Sequence, residues 1–231
     1  MAPTKVAGVD GCRGGWVVVT TTSDGDAQSA VERVSNLAGV IARLDSGELA
    51  AVGIDIPIGL PEMGPRRCDV EARRMIGPRR GSVFPAPMRG LLGAADYQDA
   101  LARCRARSGT GLSRQTFGIL SKIEEVDRLV SPERQQHLVE VHPEVSFTAL
   151  AGAPMAHSKR TTEGRAERLH ALRGVFPDVE AHAHVPAAGT SPDDVLDAFA
   201  VAWSARRWSA GAHARLGGAK DGRGLRMEII V

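Results

Sequence analysis

The stretch Lys5-Val6-Ala7-Gly8-Val9-Asp10-Gly11-Cys12-Arg13-Gly14-Gly15-Trp16-Val17-Val18-Val19-Thr20-Thr21-Thr22 decides the fold. Its first six residues read as a short buried strand that ends in an acid. The glycine-rich segment from Gly11 to Gly15 reads as a turn. The β-branched run from Trp16 to Thr22 reads as a second strand. Ser23-Asp24-Gly25-Asp26 is a turn signal, and a third strand is expected near Gln28–Val34. The predicted unit is a three-stranded antiparallel meander.

Outward from the meander, Leu37, Val40, Ile41 and Leu44 recur at helical spacing, so a helix is expected over Asn36–Asp45 with Ser35 as its cap. Ala50-Ala51-Val52-Gly53-Ile54-Asp55-Ile56 is a second apolar run carrying an acid. Pro57, Gly59 and Pro61 end it, and it reads as a strand buried on both faces. Residues 62–114 are rich in Arg, Pro and Gly and read as an insertion, with helices expected over Cys68–Ile76 and Tyr97–Arg107. One amphipathic helix is expected over residues 115–130, then a strand over Leu138–Val141 and a helix over residues 163–173. Ser191-Pro192-Asp193-Asp194 opens a helix running to Trp208, with Pro in its first turn and acids at the positive end of its dipole. A short terminal strand is expected over Leu225–Val231.

The chain has 231 residues, a formal net charge of +2, 43% hydrophobic and 24% charged residues. These proportions fit a globular α/β domain and exclude disorder, collagen and a disulfide scaffold as descriptions of the bulk of the chain. No apolar stretch reaches the roughly 20 residues a bilayer span needs. The opening residues lack the apolar core of a signal peptide, so a cytoplasmic protein without membrane attachment is expected. Cys12, Cys68 and Cys104 share no zinc-like spacing and read as buried reduced thiols. Of the 29 basic residues 25 are Arg, and Arg66, Arg67, Arg73, Arg74, Arg79, Arg80 and Arg89 crowd into one short stretch. Arg suits bidentate phosphate contacts.

Asp10, Asp55 and Glu140 each sit in an apolar segment, and Asp193, Asp194 and Asp197 open the late helix. Asp194 and Asp197 share a helix face. A single strand-end Asp is commonly a turn former, and Asp193 reads as a helix cap. Several buried carboxylates together, however, are costly unless a cation joins them. Hard divalent ions take oxygen ligands, and a pair of them about 4 Å apart can activate water and stabilise the leaving oxygen of a phosphodiester.

An acid on the first strand of a meander, an acid on the fourth strand and acids on a late helix resemble the ribonuclease H-like fold. The strings from Gly8 to Trp16, Ile54-Asp55-Ile56-Pro57-Ile58-Gly59-Leu60, Arg79-Arg80-Gly81-Ser82-Val83-Phe84-Pro85-Ala86-Pro87, Glu140-Val141-His142-Pro143-Glu144-Val145-Ser146-Phe147 and Asp193-Asp194-Val195-Leu196-Asp197-Ala198 are closer still to one family. They resemble domain of unknown function 429 (DUF429), described as predicted ribonuclease H-like nucleases. The resemblance covers nearly the whole chain. It implies one α/β domain over residues 1–231, with a mixed five-stranded sheet of antiparallel meander plus parallel strands, flanked by helices. It further implies that Asp10 bridges Mg²⁺ or Mn²⁺, that Asp55 is the second strand acid, and that Asp194 or Asp197 supplies the helix acid. Glu140 is a further catalytic candidate.

Arg13, Arg79, Arg80 and Lys159 are candidate phosphate contacts; the alternative is solvated loops with surface ion pairs. The Gly11–Gly15 segment reads as a hairpin turn rather than a phosphate cradle, because it matches neither Walker nor GxGxxG spacing. His142, near Glu140, reads as a satisfied structural histidine, with a proton shuttle or a partner orienting a site acid as the alternatives. His182 and His184 are spaced for one strand face and read as surface residues. Low aromatic content, 4%, argues against an extensive stacking platform. The expected function is a divalent-metal-dependent nuclease acting on nucleic acid. The alternatives are a phosphohydrolase or phosphotransfer enzyme on a small nucleotide, or a non-catalytic binding or regulatory module on the same scaffold.

Overall fold

The computed structural model describes residues 4–24, 28–184 and 189–231. Three strands, β1 (Lys5–Cys12), β2 (Gly15–Thr22) and β3 (Ala30–Val34), form the expected antiparallel meander. Gly25 and Asp26 of the predicted second turn lie outside the described residues. Helix α1 (Ala38–Asp45) leads to β4 (Leu49–Ile54), which pairs parallel with β1; β5 (Leu138–Glu140) pairs parallel with β4. The sheet order is β3-β2-β1-β4-β5. This is a mixed α/β sheet, consistent with the ribonuclease H-like arrangement.

Strand alternation sorts the core onto two faces. Ala7, Val9, Trp16, Val18, Val52 and Ile54 point to one face, covered by α1 and by α5 (Leu120–Leu129) through Val40, Ile41, Leu44, Ile123 and Val126. Val17 and Val19 point to the other, where α9 (Pro192–Ser209) lies with Phe199 and Ala202 against the sheet. Three helices, α6 (Pro143–Ala151), α7 (Thr162–Arg173) and α8 (Val179–His184), pack behind α9. Gly8 and Gly53 allow α9 to approach β1 and β4: a Cβ on Gly8 would lie 2.2 Å from the carbonyl oxygen of Ala198, and one on Gly53 would lie 3.0 Å from Val201.

Between β4 and α5 the chain adds no strand to the sheet. It forms α2 (Arg67–Met75), a short 3-10 turn over Gly77–Ser82, α3 (Tyr97–Ser108) and α4 (Arg114–Gly118). The single helix expected over residues 115–130 is therefore two, divided at Ile119. Ser35 does not cap α1; the Asn36 side-chain oxygen accepts from the Ala38 N–H (3.0 Å) and Glu125 accepts from the Leu37 N–H (2.7 Å). His182 and His184 lie on a helix, not a strand, and the ring of His182 bonds the Ser29 carbonyl. The expected terminal strand is β7 (Arg226–Ile230), paired with β6 (Arg215–Lys220), which its glycines concealed in the sequence. Among the described residues no helix is long and apolar enough to cross a membrane.

Candidate active site

The register of the sheet sets which acids meet. Val9 pairs with Ile54, and the Asp55 N–H donates to the Val9 carbonyl (2.9 Å). Asp10 and Asp55 are therefore neighbours at the same end of adjacent parallel strands. Counted in twos from Gly8 and Gly53, both carboxylates face α9. Asp197 comes down from that helix to meet them. Ser191 caps α9 in a reciprocal capping box: its hydroxyl accepts from the Asp194 N–H (3.2 Å), and Asp194 Oδ2 accepts from the Ser191 N–H (2.8 Å). The cap expected of Asp193 thus belongs to Ser191, and Asp193 instead pairs with Arg165 (3.0 Å). One turn further in, Asp197 is 2% exposed and Asp10 is 7% exposed.

The four acids Asp10, Asp55, Asp194 and Asp197 line one cleft of about 610 Å³. Burial pushes the Asp10 carboxyl well above the usual carboxylate range, and the charges of Asp197, Asp55 and Asp194 push it further. Burial also raises Asp197, against the pull of the Lys159 ammonium, which bonds its Oδ2. The other oxygen of Asp197, Oδ1, is buried with no hydrogen-bond partner. For Lys159 burial opposes the charge, but Asp197, Asp10 and Asp55 more than offset it and raise its pKa.

Comparison with protein families matches residues 8–221 to the family described as protein of unknown function, DUF429. The chain belongs to the DUF429 family. No curated protein and no solved structure matches it.

The four acids of this DUF429 cleft offer oxygen donors, which suit a hard divalent cation. An orphaned carboxylate oxygen and mutually repelling acids are the features such an ion relieves. The ligands do not stand ready: among the described residues no three His, Cys, Asp or Glu side chains are arranged to hold one ion. Lys159 instead supplies the positive charge.

Glu140 is placed differently from the other acids. It pairs with Ile54 across β5 and β4, so it follows Ile54 rather than Asp55 in strand alternation. Its carboxylate takes a two-pronged bond from the buried Arg66 (2.7 Å from each nitrogen) and the Ile58 N–H (2.6 Å). Arg66 also bonds both oxygens of Asp69 and the carbonyls of Ile58 and Gly59. Glu140 and Asp69 hold the guanidinium charged despite its burial. Glu140 touches the cleft, but its oxygens are committed to fastening the segment after Asp55.

Among the predicted phosphate contacts, Arg79 and Lys159 line the cleft of the DUF429 chain, and Arg13 and Arg80 are exposed and do not. Arg79 donates to the Ala156 carbonyl (3.0 Å), and its Nε is buried without a partner. Sequence reasoning missed Lys122 and Glu144, and favoured a structural role for His142 over a proton shuttle or a partner of the site acids. Lys122 leaves the polar side of α5, bonds the Gly15 carbonyl and stands 4.1 Å over the Trp16 ring, at the edge of the cleft beside Gly11. Burial lowers its pKa. His142 bonds the Ser82 carbonyl through Nε2 (3.3 Å), and its Nδ1 has no partner. Glu144 pairs with Arg168, both buried, and keeps one oxygen unpaired. The signal for these three was the local string around His142-Pro143-Glu144 and the charged face of α5.

Proposed function

We propose that the protein is a divalent-metal-dependent nuclease that hydrolyses phosphodiester bonds of nucleic acid. The observation that carries the reading is that Asp10, Asp55 and Asp197, from two parallel strands and one helix, line one cleft, with an unpartnered carboxylate oxygen among them. Asp10, Asp55 and Asp197 would hold Mg²⁺ or Mn²⁺, with Asp194 contributing the oxygen its capping box leaves free. Such an ion supplies activation of water and charge stabilisation at the reacting phosphate. Arg79, Arg160, Lys122 and Lys159 place positive charge around those acids, where a substrate phosphate gains from it.

A second reading, hydrolysis of a small nucleotide, is favoured by one observation. Much of the chain's arginine is spent on internal ion pairs, including Arg43, Arg66, Arg89, Arg103, Arg134, Arg165, Arg168, Arg173 and Arg226. Arginines committed to such pairs are not available to follow a long phosphate backbone. The deciding experiment is a cleavage assay in Mn²⁺ on single-stranded, duplex, hybrid and branched substrates and on nucleotides, beside Asp10→Asn. Turnover by the wild type alone supports the metal-hydrolase reading and names its substrate. Full turnover by Asp10→Asn removes it.

A further inference from the structure

The acid cluster contains a cation of its own. Lys159 extends from the loop between α6 and α7, and its ammonium bonds Asp197 while Asp10 and Asp55 act on its charge. The loop is fixed from several sides. The Ala156 and His157 N–H groups donate to the two oxygens of Glu167 (2.7 and 3.0 Å). Arg79 donates to the Ala156 carbonyl and the buried Arg168 to the His157 carbonyl (3.2 Å). Thr161 closes the loop by capping α7. The backbone at Lys159 is therefore aimed, whereas its side chain is 44% exposed and reaches Asp197 through four rotatable bonds.

We propose that Lys159 is the resident counter-ion of the acid cluster, that a divalent ion displaces its ammonium from Asp197, and that the released ammonium then holds substrate phosphate at the cleft. The inference rests on the metal reading above. Two positive charges cannot share the buried carboxylate of Asp197 without strong repulsion in so poorly solvated a place. The ammonium bonds Oδ2 of Asp197 and leaves its Oδ1 buried without a hydrogen-bond partner, an acceptor for a second cation. Once displaced, the ammonium remains on its fixed loop next to Arg160, which also lines the cleft. The exchange makes Lys159 a competitor of the metal and a partner of the substrate.

The test is equilibrium Mn²⁺ binding by calorimetry to the wild type, Lys159→Gln and Asp197→Asn, with melting curves recorded with and without Mn²⁺. Lys159→Gln should bind Mn²⁺ roughly tenfold or more tightly than the wild type, a difference of about 1.4 kcal/mol, and should gain more thermal protection from it. Asp197→Asn should bind more weakly than either. Equal or weaker binding by Lys159→Gln overturns the inference and leaves the metal reading standing. Binding by neither the wild type nor Lys159→Gln overturns both. A measurement on the unaltered protein covers the case of a variant that does not fold: acylation of Lys159, followed by mass spectrometry. Mn²⁺ should speed its labelling relative to Lys5 and Lys220. Unchanged labelling at saturating Mn²⁺ overturns the exchange.

Discussion

Gly8→Ala tests the close approach that brings Asp197 to Asp10. The added Cβ would sit 2.2 Å from the Ala198 carbonyl oxygen and 2.2 Å from the Ala202 nitrogen. Ordinary contact begins near 3.4 Å, so α9 must retreat from β1 by about 1 Å. Both obstructing atoms are backbone, so no rotamer change relieves them. Overpacking in a filled core costs about 1–3 kcal/mol, and an obstacle that cannot rotate away belongs at the upper end. At roughly 2–4 °C per kcal/mol for a chain of this size, the melting temperature should fall by about 6–12 °C. The assay is thermal unfolding followed by circular dichroism, with Gly39→Ala as the control. Gly39 lies in α1 with nothing within 4 Å of its added Cβ, so that change should be neutral or stabilising by up to about 1 kcal/mol. A Gly8→Ala protein that melts within about 2 °C of the wild type would refute the packing argument, since about 3 kcal/mol cannot hide in that interval.

Asp10→Asn should raise the melting temperature near neutral pH. The folded protein holds the Asp10 proton more tightly than the unfolded chain does. Its contribution to stability is therefore complete below the ordinary carboxylate pKa and is lost as pH rises through the raised value. The advantage of Asn should shrink as pH falls toward about 4; an advantage independent of pH would contradict the electrostatic cause. Arg66→Met should destabilise by about 3–5 kcal/mol, because Glu140 and Asp69 are left buried without their cation. Arg67→Ala, next in sequence but at the surface, should leave urea unfolding unchanged. Equal effects of the two Arg changes would dismiss the buried network as a stabilising device.

The parts of this molecule legible in sequence are those governed by short-range pattern. The meander followed from β-branched runs and glycine turns between Lys5 and Thr22, and the start of α9 from Ser191-Pro192-Asp193-Asp194. Ile119 was not legible as a break, because Phe117, Leu120 and Ile123 keep helical spacing across it. β6 was hidden because Gly217 and Gly218 take positive φ within a strand, which composition reads as a loop. Placement of the acids was legible only in part. Asp10, Asp55 and Asp197 share the cleft because strand register and helix phase agree. Glu140 came from an equally acidic strand end, and one step of alternation turned it toward Arg66. Lys122 and Glu144 carried no spacing that singled them out, since only the tertiary fold brings α5 and α6 to the cleft.

Sequence distance gives the acid cluster a history during folding. Asp10 and Asp55 are placed by the first half of the chain, but Asp197 and the helix that covers their face of the sheet come near its far end. Contacts of such long range form late and slowly. On a ribosome, β1, β2 and β4 emerge well before α9, leaving Val17 and Val19 uncovered on one face of a half-built sheet. Exposed apolar strands of that kind invite aggregation. Docking of α9 then does two things at once: it buries the apolar face, and it takes water from the Asp10 carboxylate.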